Sequence, residues 1–531
     1  MLYMSLYGFS FDRYNQTFYA QATVDYSYYD PYTGEDLSDW SFQSTVDGSV
    51  VGSGYGNGYV SFVAFNDYVG TGVQTITATV SSDWTDETVV WRAQLVNDTL
   101  ATTGQYYYGS TGIDILFGSD YADDTYLGGG NDFAAGGAGS DLLNGEAGVD
   151  ELHGGDGADF LHGGSGADAM WGDSGNDTYY VDNARDQVFE DAARGFDRVY
   201  TSVSYALATG EHIEELRTTN DRGTASINLT GNELVNTLVG NAGANVLNGR
   251  GGADRMFGLG GNDTYIVDNA ADTVIEAAGN GIDLVRAFVS STLSANVEML
   301  YLEGTAAING VGNDLANTMR GNNAANILNG RGGADHMWGY GGNDTYVVDN
   351  AGDVVSEAAG SGIDTIQTSV SRNLEANVER IGLLGSANLS AGGNGLANVI
   401  VGNVGANRLN GAAGSDTLTG GLGNDTFVFN SALGSSNIDT IRDFSNSTGN
   451  NDVIWLENGI FSALTATGVL AATAFKNLDL GAADSNDRIL YDQDRGDLYY
   501  DRDGSGTAYG AVKIAEIANF ATLTHADFFV I

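Results

Sequence analysis

Residues 154–180 read GGDGADFLH, GGSGADAMW and GDSGNDTYY, three nonapeptides in one register. The register extends back to Gly109 through GSTGIDILF, GSDYADDTY, LGGGNDFAA, GGAGSDLLN and GEAGVDELH, so residues 109–180 are eight contiguous copies. The sixth position is Asp in all of them: Asp114, Asp123, Asp132, Asp141, Asp150, Asp159, Asp168 and Asp177. Three further blocks of four copies occupy residues 231–266, 312–347 and 393–428. Their first two copies carry Asn at position 6 (Asn236, Asn245, Asn317, Asn326, Asn398, Asn407). Their last two carry Asp254, Asp263, Asp335, Asp344, Asp416 and Asp425. Position 8 is large and apolar or aromatic except at Thr125 and Ala134. A longer period overlies the short one: GNDTYIVDNA at 261 recurs as GNDTYVVDNA at 342.

Glycine tolerates the positive φ of a tight turn and allows close backbone approach. Six residues of each repeat therefore read as a turn. The last three read as a short strand, with position 8 inward and its neighbours outward. Two repeats make an 18-residue coil, and periods of this kind mark stacked repeat architectures.

The pattern GGxGxDxUx resembles the RTX, or haemolysin-type calcium-binding, repeat over residues 109–429. The resemblance implies an all-β fold, a right-handed parallel β-roll or β-solenoid, holding multiple Ca2+ ions. Stacking at about 4.7 Å sets Asp132 over Asp114 and Asp141 over Asp123. Two carboxylates at that distance repel by roughly 3–4 kcal/mol at an effective dielectric near 20. Calcium accepts 6–8 oxygen ligands and reverses that sign. In the family, position 6 supplies the carboxylate and positions 2 and 4 supply carbonyls. Carried onto this chain, the ligands are the fourteen aspartates named above together with Gly130, Gly139, Gly148, Gly155, Gly157, Gly164, Gly166 and Gly175. Ser110, Ser119, Glu146 and Asp173 depart from Gly at position 2, and Tyr121 departs from it at position 4, which puts the turn geometry there in question. The Asn copies carry less charge, and an Asn ladder without metal is the competing reading for them.

The chain has 531 residues, 21 Lys and Arg against 69 Asp and Glu, a net charge of −48, and no Cys. Such an acid excess repels phosphate, which argues against nucleic acid and anionic membrane as partners. No apolar run reaches the ~20 residues of a membrane helix. The first residues, MLYMSLYGFSFDR, lack a basic start and a long apolar stretch, so no Sec signal is expected. The absence of Cys removes disulfides, thiolate metal sites and cysteine nucleophiles.

Outside the repeats, residues 1–108 contain strand-like runs (YVSFVAF, QTITATV, TVVWRAQLV) and are expected to form a small all-β domain of unknown role. Residues 430–531 are expected to form a β cap. TFVFNSALGSSNIDTIRDF resembles the end of the roll in serralysin-type proteases, and the terminal THADFFVI resembles a type I secretion signal. These resemblances imply export by type I secretion machinery to the outside or surface of a Gram-negative cell. No HExxH or GxSxG occurs, so no catalytic residue is assigned. His153 and His162, at position 9, read as solvated surface. DRDGSG at Asp501–Gly506 reads as a hairpin turn rather than a calcium loop. The expected function is a non-catalytic structural or adhesive calcium-binding protein, partnered by itself or by cell-surface polysaccharide, for example in a surface layer. The competing class is an extracellular hydrolase or carbohydrate-binding protein with its site in residues 1–108.

Overall fold

A computed structural model describes strand backbone within residues 2–97. From residue 101 it describes every residue except 102, 193 and 505–508. The fold is all-β; among the described residues the helical segments are the 3-10 turns Ala472–Ala474, Leu478–Leu480 and His525–Asp527. The chain divides into two compact units, Met1–Asp263 with Ala271–Thr273, and Thr264–Ala270 with Val274–Ile531.

In the first unit the nonapeptides form the expected coils. One face stacks Tyr106–Tyr108, Asp124–Tyr126, Leu142–Asn144, Phe160–His162 and Thr178–Val181 in parallel. The other stacks Ile113–Phe117, Phe133–Ala138, Glu151–Asp156, Ala169–Ser174 and Gln187–Phe189. Within the repeats a strand pairs with the strand 18 residues on, Leu142 beside Phe160 and Glu151 beside Ala169. The stretch after Tyr180 continues the stack through Arg198–Thr201 and Glu215–Thr218, so the less regular sequence between blocks also coils.

Alternation places position 8 in the core. Leu143, Leu152, Leu161, Met170 and Tyr179 are fully buried, and so are the small exceptions Thr125 and Ala134. Thr125 Oγ1 has no partner there. A buried hydroxyl without a hydrogen bond is destabilising. Thr125→Val should therefore raise the melting temperature of the calcium-loaded protein, a gain of about 1–2 kcal/mol; an unchanged or lower value would contradict this reading of the site.

The outward neighbours form aromatic rows. Phe133, His153, Trp171 and Phe189 stack with centroids 5.5, 4.5 and 4.4 Å apart. Phe160, Tyr180 and Tyr200 follow at 4.6 and 5.2 Å on the other face. His153 and His162 are therefore half-buried members of these rows, not fully solvated residues. The strand period that points them outward also sets each ring over the side chain 18 residues away.

Strands Val73–Ser82 and Thr88–Asn97 pair antiparallel, and Thr88–Asn97 lies parallel to Ile113–Phe117 in the sheet of the first coil. Leu2–Asp12, Thr17–Tyr26 and Tyr59–Val63 form a separate three-stranded antiparallel sheet.

The second unit repeats the coil. Its 13-stranded sheet runs from Ser291–Thr292 through Ile327–Asn329, Thr345–Val348 and Thr417–Thr419 to Asp439–Ile441. Val512–Ile517 then lies parallel to Asp439–Ile441 and antiparallel to Asp497–Tyr500. The connection between those antiparallel strands contains Asp501–Gly506, of which residues 505 and 506 lie outside the described residues. Phe528–Val530 lies parallel to Val453–Leu456.

Candidate metal centre

Each turn presents its position-6 side chain to the coil below. The backbone N–H of Asp114 donates to Asp132 Oδ1 (2.8 Å), Asp132 to Asp150 (2.8 Å), Asp150 to Asp168 (2.9 Å) and Asp168 to Asp186 (3.1 Å). On the opposite edge Asp123 donates to Asp141, Asp141 to Asp159, Asp159 to Asp177 and Asp177 to Asp197, each at 2.8 Å. All of these aspartates are buried. The stack of carboxylates expected from the spacing is thus formed, with Oδ1 of each upper Asp held by the backbone N–H of the Asp one coil below.

The second carboxylate oxygen differs along the columns. Oδ2 of Asp132, Asp141, Asp150, Asp159, Asp168 and Asp177 is buried without a partner. In the second unit the same holds for Asp335, Asp344, Asp364, Asp416 and Asp425. A buried carboxylate oxygen with no donor is costly and calls for a cation or a proton. Burial pushes Asp132, Asp141 and Asp177 up to about 7, Asp150 to about 8, and Asp159 and Asp168 to about 6; nearby carboxylates add to the rise, and the backbone donors oppose it. The donor set is hard, anionic oxygen in a column, which fits calcium. When bound, the ion would supply the positive charge that the stacked turns lack.

The glycines explain how turns pack so closely. A Cβ on Gly148, Gly157, Gly166 or Gly175 would overlap the carbonyl oxygen of Gly130, Gly139, Gly148 or Gly157 respectively. At these four turns position 4 therefore needs Gly for close approach. Gly130, Gly139, Gly148, Gly155, Gly157, Gly164 and Gly175 have positive φ; Gly166 needs Gly for contact alone. At position 2, Glu146 (φ 64°) and Asp173 (φ 68°) hold the left-handed conformation despite their side chains. The turn survives there at a backbone cost. Ala412 carries the same strain at φ 66°, and Ala412→Gly should stabilise the protein by roughly 0.5–1 kcal/mol, strain relieved less the added chain entropy. Chemical denaturation in calcium would show it; a lower midpoint would count against strain at that turn.

Not every predicted ligand is left open. Asp114 Oδ2 accepts from Ser110 N (2.7 Å) and Oγ (3.0 Å), and Asp123 Oδ2 from Ser119 N (2.7 Å) and Oγ (3.0 Å). The Ser at position 2 thus gives this oxygen neutral donors at the first coil. The Asn copies are satisfied too. Asn236 Oδ1 accepts from Asn232 N, while its Nδ2 donates to Ile213 O. Asn326 accepts from Asn322 N and donates to Ile308 O and Asn322 Oδ1. Asn407 accepts from Asn403 N and donates to Asn403 Oδ1. These are protein-only ladders, joined to the Asp columns because Asn236 and Asn245 donate their N–H to Asp254 and Asp263 Oδ1.

Sequence reading missed the residues that continue the columns. Asp186 follows Asp168 by the regular 18, but its coil lacks the glycine pattern. Asp197 follows Asp177 by 20. Asp353, Asp364, Asp439 and Asp452 do the same after Asp335, Asp344, Asp416 and Asp425. The usable signal is a lone Asp directly before a short β-like run, as in NIDTI and NDVIW.

The model of the RTX calcium-binding nonapeptide repeat, a block of 4 copies, matches residues 108–143, 126–161, 144–179, 153–188, 230–265, 311–346 and 392–427. These matches fall on the coils that carry the aspartate columns. No curated protein matches the chain. The repeat model, the buried aspartate columns and the β-solenoid agree that the chain carries RTX calcium-binding nonapeptide repeats.

Proposed function

We propose that this protein is an extracellular structural or adhesive element, without catalytic activity, that folds when it meets calcium after export through a type I system. The observation that carries the reading is the column of buried, partnerless Asp Oδ2 atoms. A fold held apart by its own charge in low calcium is loose enough to be exported. Extracellular modules bind calcium at about 10⁻⁴–10⁻³ M, so closure belongs outside the cell. The acid excess and the lack of HExxH and GxSxG favour a charged scaffold over a hydrolase. Self-assembly and cell-surface polysaccharide are the partners proposed.

Light scattering and electron microscopy on the full chain in EDTA and in millimolar calcium test the role, alongside binding to polysaccharide-coated cells. Ordered calcium-dependent assemblies or cell binding support it. A calcium-folded monomer that binds no cell, or one that hydrolyses an extracellular polymer, overturns it. The full chain is needed because Thr88–Asn97 shares a sheet with the first coil; a 1–108 fragment would expose that edge.

A further inference from the structure

At the end of two repeat blocks a side chain from outside the nonapeptides enters the column. Glu190, on the coil after residues 109–180, brings an oxygen within 4.8 Å of oxygens of Asp177 and Asp197. All three residues are buried, Asp177 and Asp197 at 1% exposure and Glu190 at 6%. Tyr179 donates its hydroxyl to Glu190 Oε1, and Glu190 N is held by Glu211 Oε2 at 2.6 Å. That leaves Glu190 Oε2 and Asp177 Oδ2 buried with no partner. A Cβ at Gly172 would overlap Asp177 Oδ2, Glu190 Oε1 and Tyr179 OH together, so only Gly lets the three oxygens converge.

The second unit builds a similar arrangement from Asp344, Glu357 and Asp364, with Tyr346 donating to Glu357 and Gly339 as the permissive glycine; here Glu357 is half-buried and its Oε2 accepts from Ala358 N and Ser361 Oγ. Asp344 Oδ2 and Asp364 Oδ2 are buried and partnerless. The spacing Asp-13-Glu-7-Asp also recurs in sequence at Asp263, Glu276 and Asp283.

Three carboxylates converging at one point, two of them buried aspartates in each cluster, are not a stable resting state without added positive charge. We infer that Asp177–Glu190–Asp197 and Asp344–Glu357–Asp364 are two further cation sites of calcium type, distinct from the sites between nonapeptide turns. They draw a third carboxylate from the coil that follows each block. This inference rests on the calcium reading of the repeats but adds ligands that the repeat does not supply. Affinity rises with ligand charge, so these sites fill before sites flanked by a single Asp. Glu190 also lines a cavity of about 380 Å³ with Asp173, Asp191, Glu211, Trp171 and Phe189.

The full-length protein and the E190Q/E357Q double variant are dialysed to equilibrium against limiting calcium, and bound ions are counted by elemental analysis. The variant should hold two fewer ions per chain with an unchanged far-ultraviolet dichroism spectrum. An unchanged count overturns the inference. Should the variant fail to fold, anomalous diffraction from wild-type crystals grown in calcium decides. A peak among the three carboxylates supports the site. Peaks between nonapeptide turns with none here overturn this inference and leave the repeat sites standing. No peak in either place sinks both.

Discussion

Gly157→Ala should leave the protein unable to complete its first repeat block even in saturating calcium. The added methyl would overlap the carbonyl oxygen of Gly139, one coil below, at a residue whose φ is already 153°. Backbone cannot yield there without parting the parallel strands Glu151–Asp156 and Phe133–Ala138, which pair from Phe133 with Glu151 to Ala138 with Asp156. The loss is at least about 4 kcal/mol, in the range where named steric defects unfold domains. Gly382→Ala is the matching control. It lies in strand Arg380–Leu383, and nothing stands within 4 Å of its added Cβ. That variant should fold normally. Equal calcium-dependent folding of both variants, read by far-ultraviolet dichroism, would refute close approach as the reason for glycine at position 4.

Acid should substitute for calcium in driving the fold. Burial holds Asp132, Asp141, Asp150, Asp159, Asp168 and Asp177 at about 6 to 8 in the folded, metal-free columns, and Asp335, Asp344 and Asp425 at about 7. Their unfolded values lie near 3.9. The folded state therefore binds more protons than the unfolded state between these limits. Stability of the metal-free solenoid is fully present below about pH 4 and is lost as pH rises through about 6 to 8. In EDTA, β-structure should appear as pH falls from about 8 to about 5. With calcium the sense reverses: protons compete for the same oxygens, so affinity falls over that window and binding near pH 7 releases protons. A metal-free chain equally unfolded at both pH values would contradict this account of the columns.

Much of the fold is legible in the sequence because one period encodes two things. Position 8 marks the core, as fully buried Leu143, Leu161 and Met170 show, and position 6 marks the column 18 residues apart. Where the glycines stop, the code stops, although the coil continues. Asp197 and Asp364 sit 20 residues beyond their partners, and Asp439 and Asp452 sit 23 and 27 beyond. Insertions looped out of the turn break the spacing without moving the carboxylate. Side-chain satisfaction is equally hidden. Ser110 and Asn232 look like minor departures from Gly, but each donates its N–H to the position-6 side chain. The contact of Tyr179 with Glu190 joins a repeat to a stretch with no pattern, and only the fold reveals it.

The most direct test of the account is far-ultraviolet circular dichroism of the full chain near pH 7.5, titrated from EDTA to about 10 mM calcium, above the affinities of extracellular calcium modules. The buried, partnerless Asp Oδ2 columns predict little β-structure in EDTA and a cooperative gain on adding calcium, reversed by chelation. A full β spectrum in EDTA, unchanged by calcium, would contradict it.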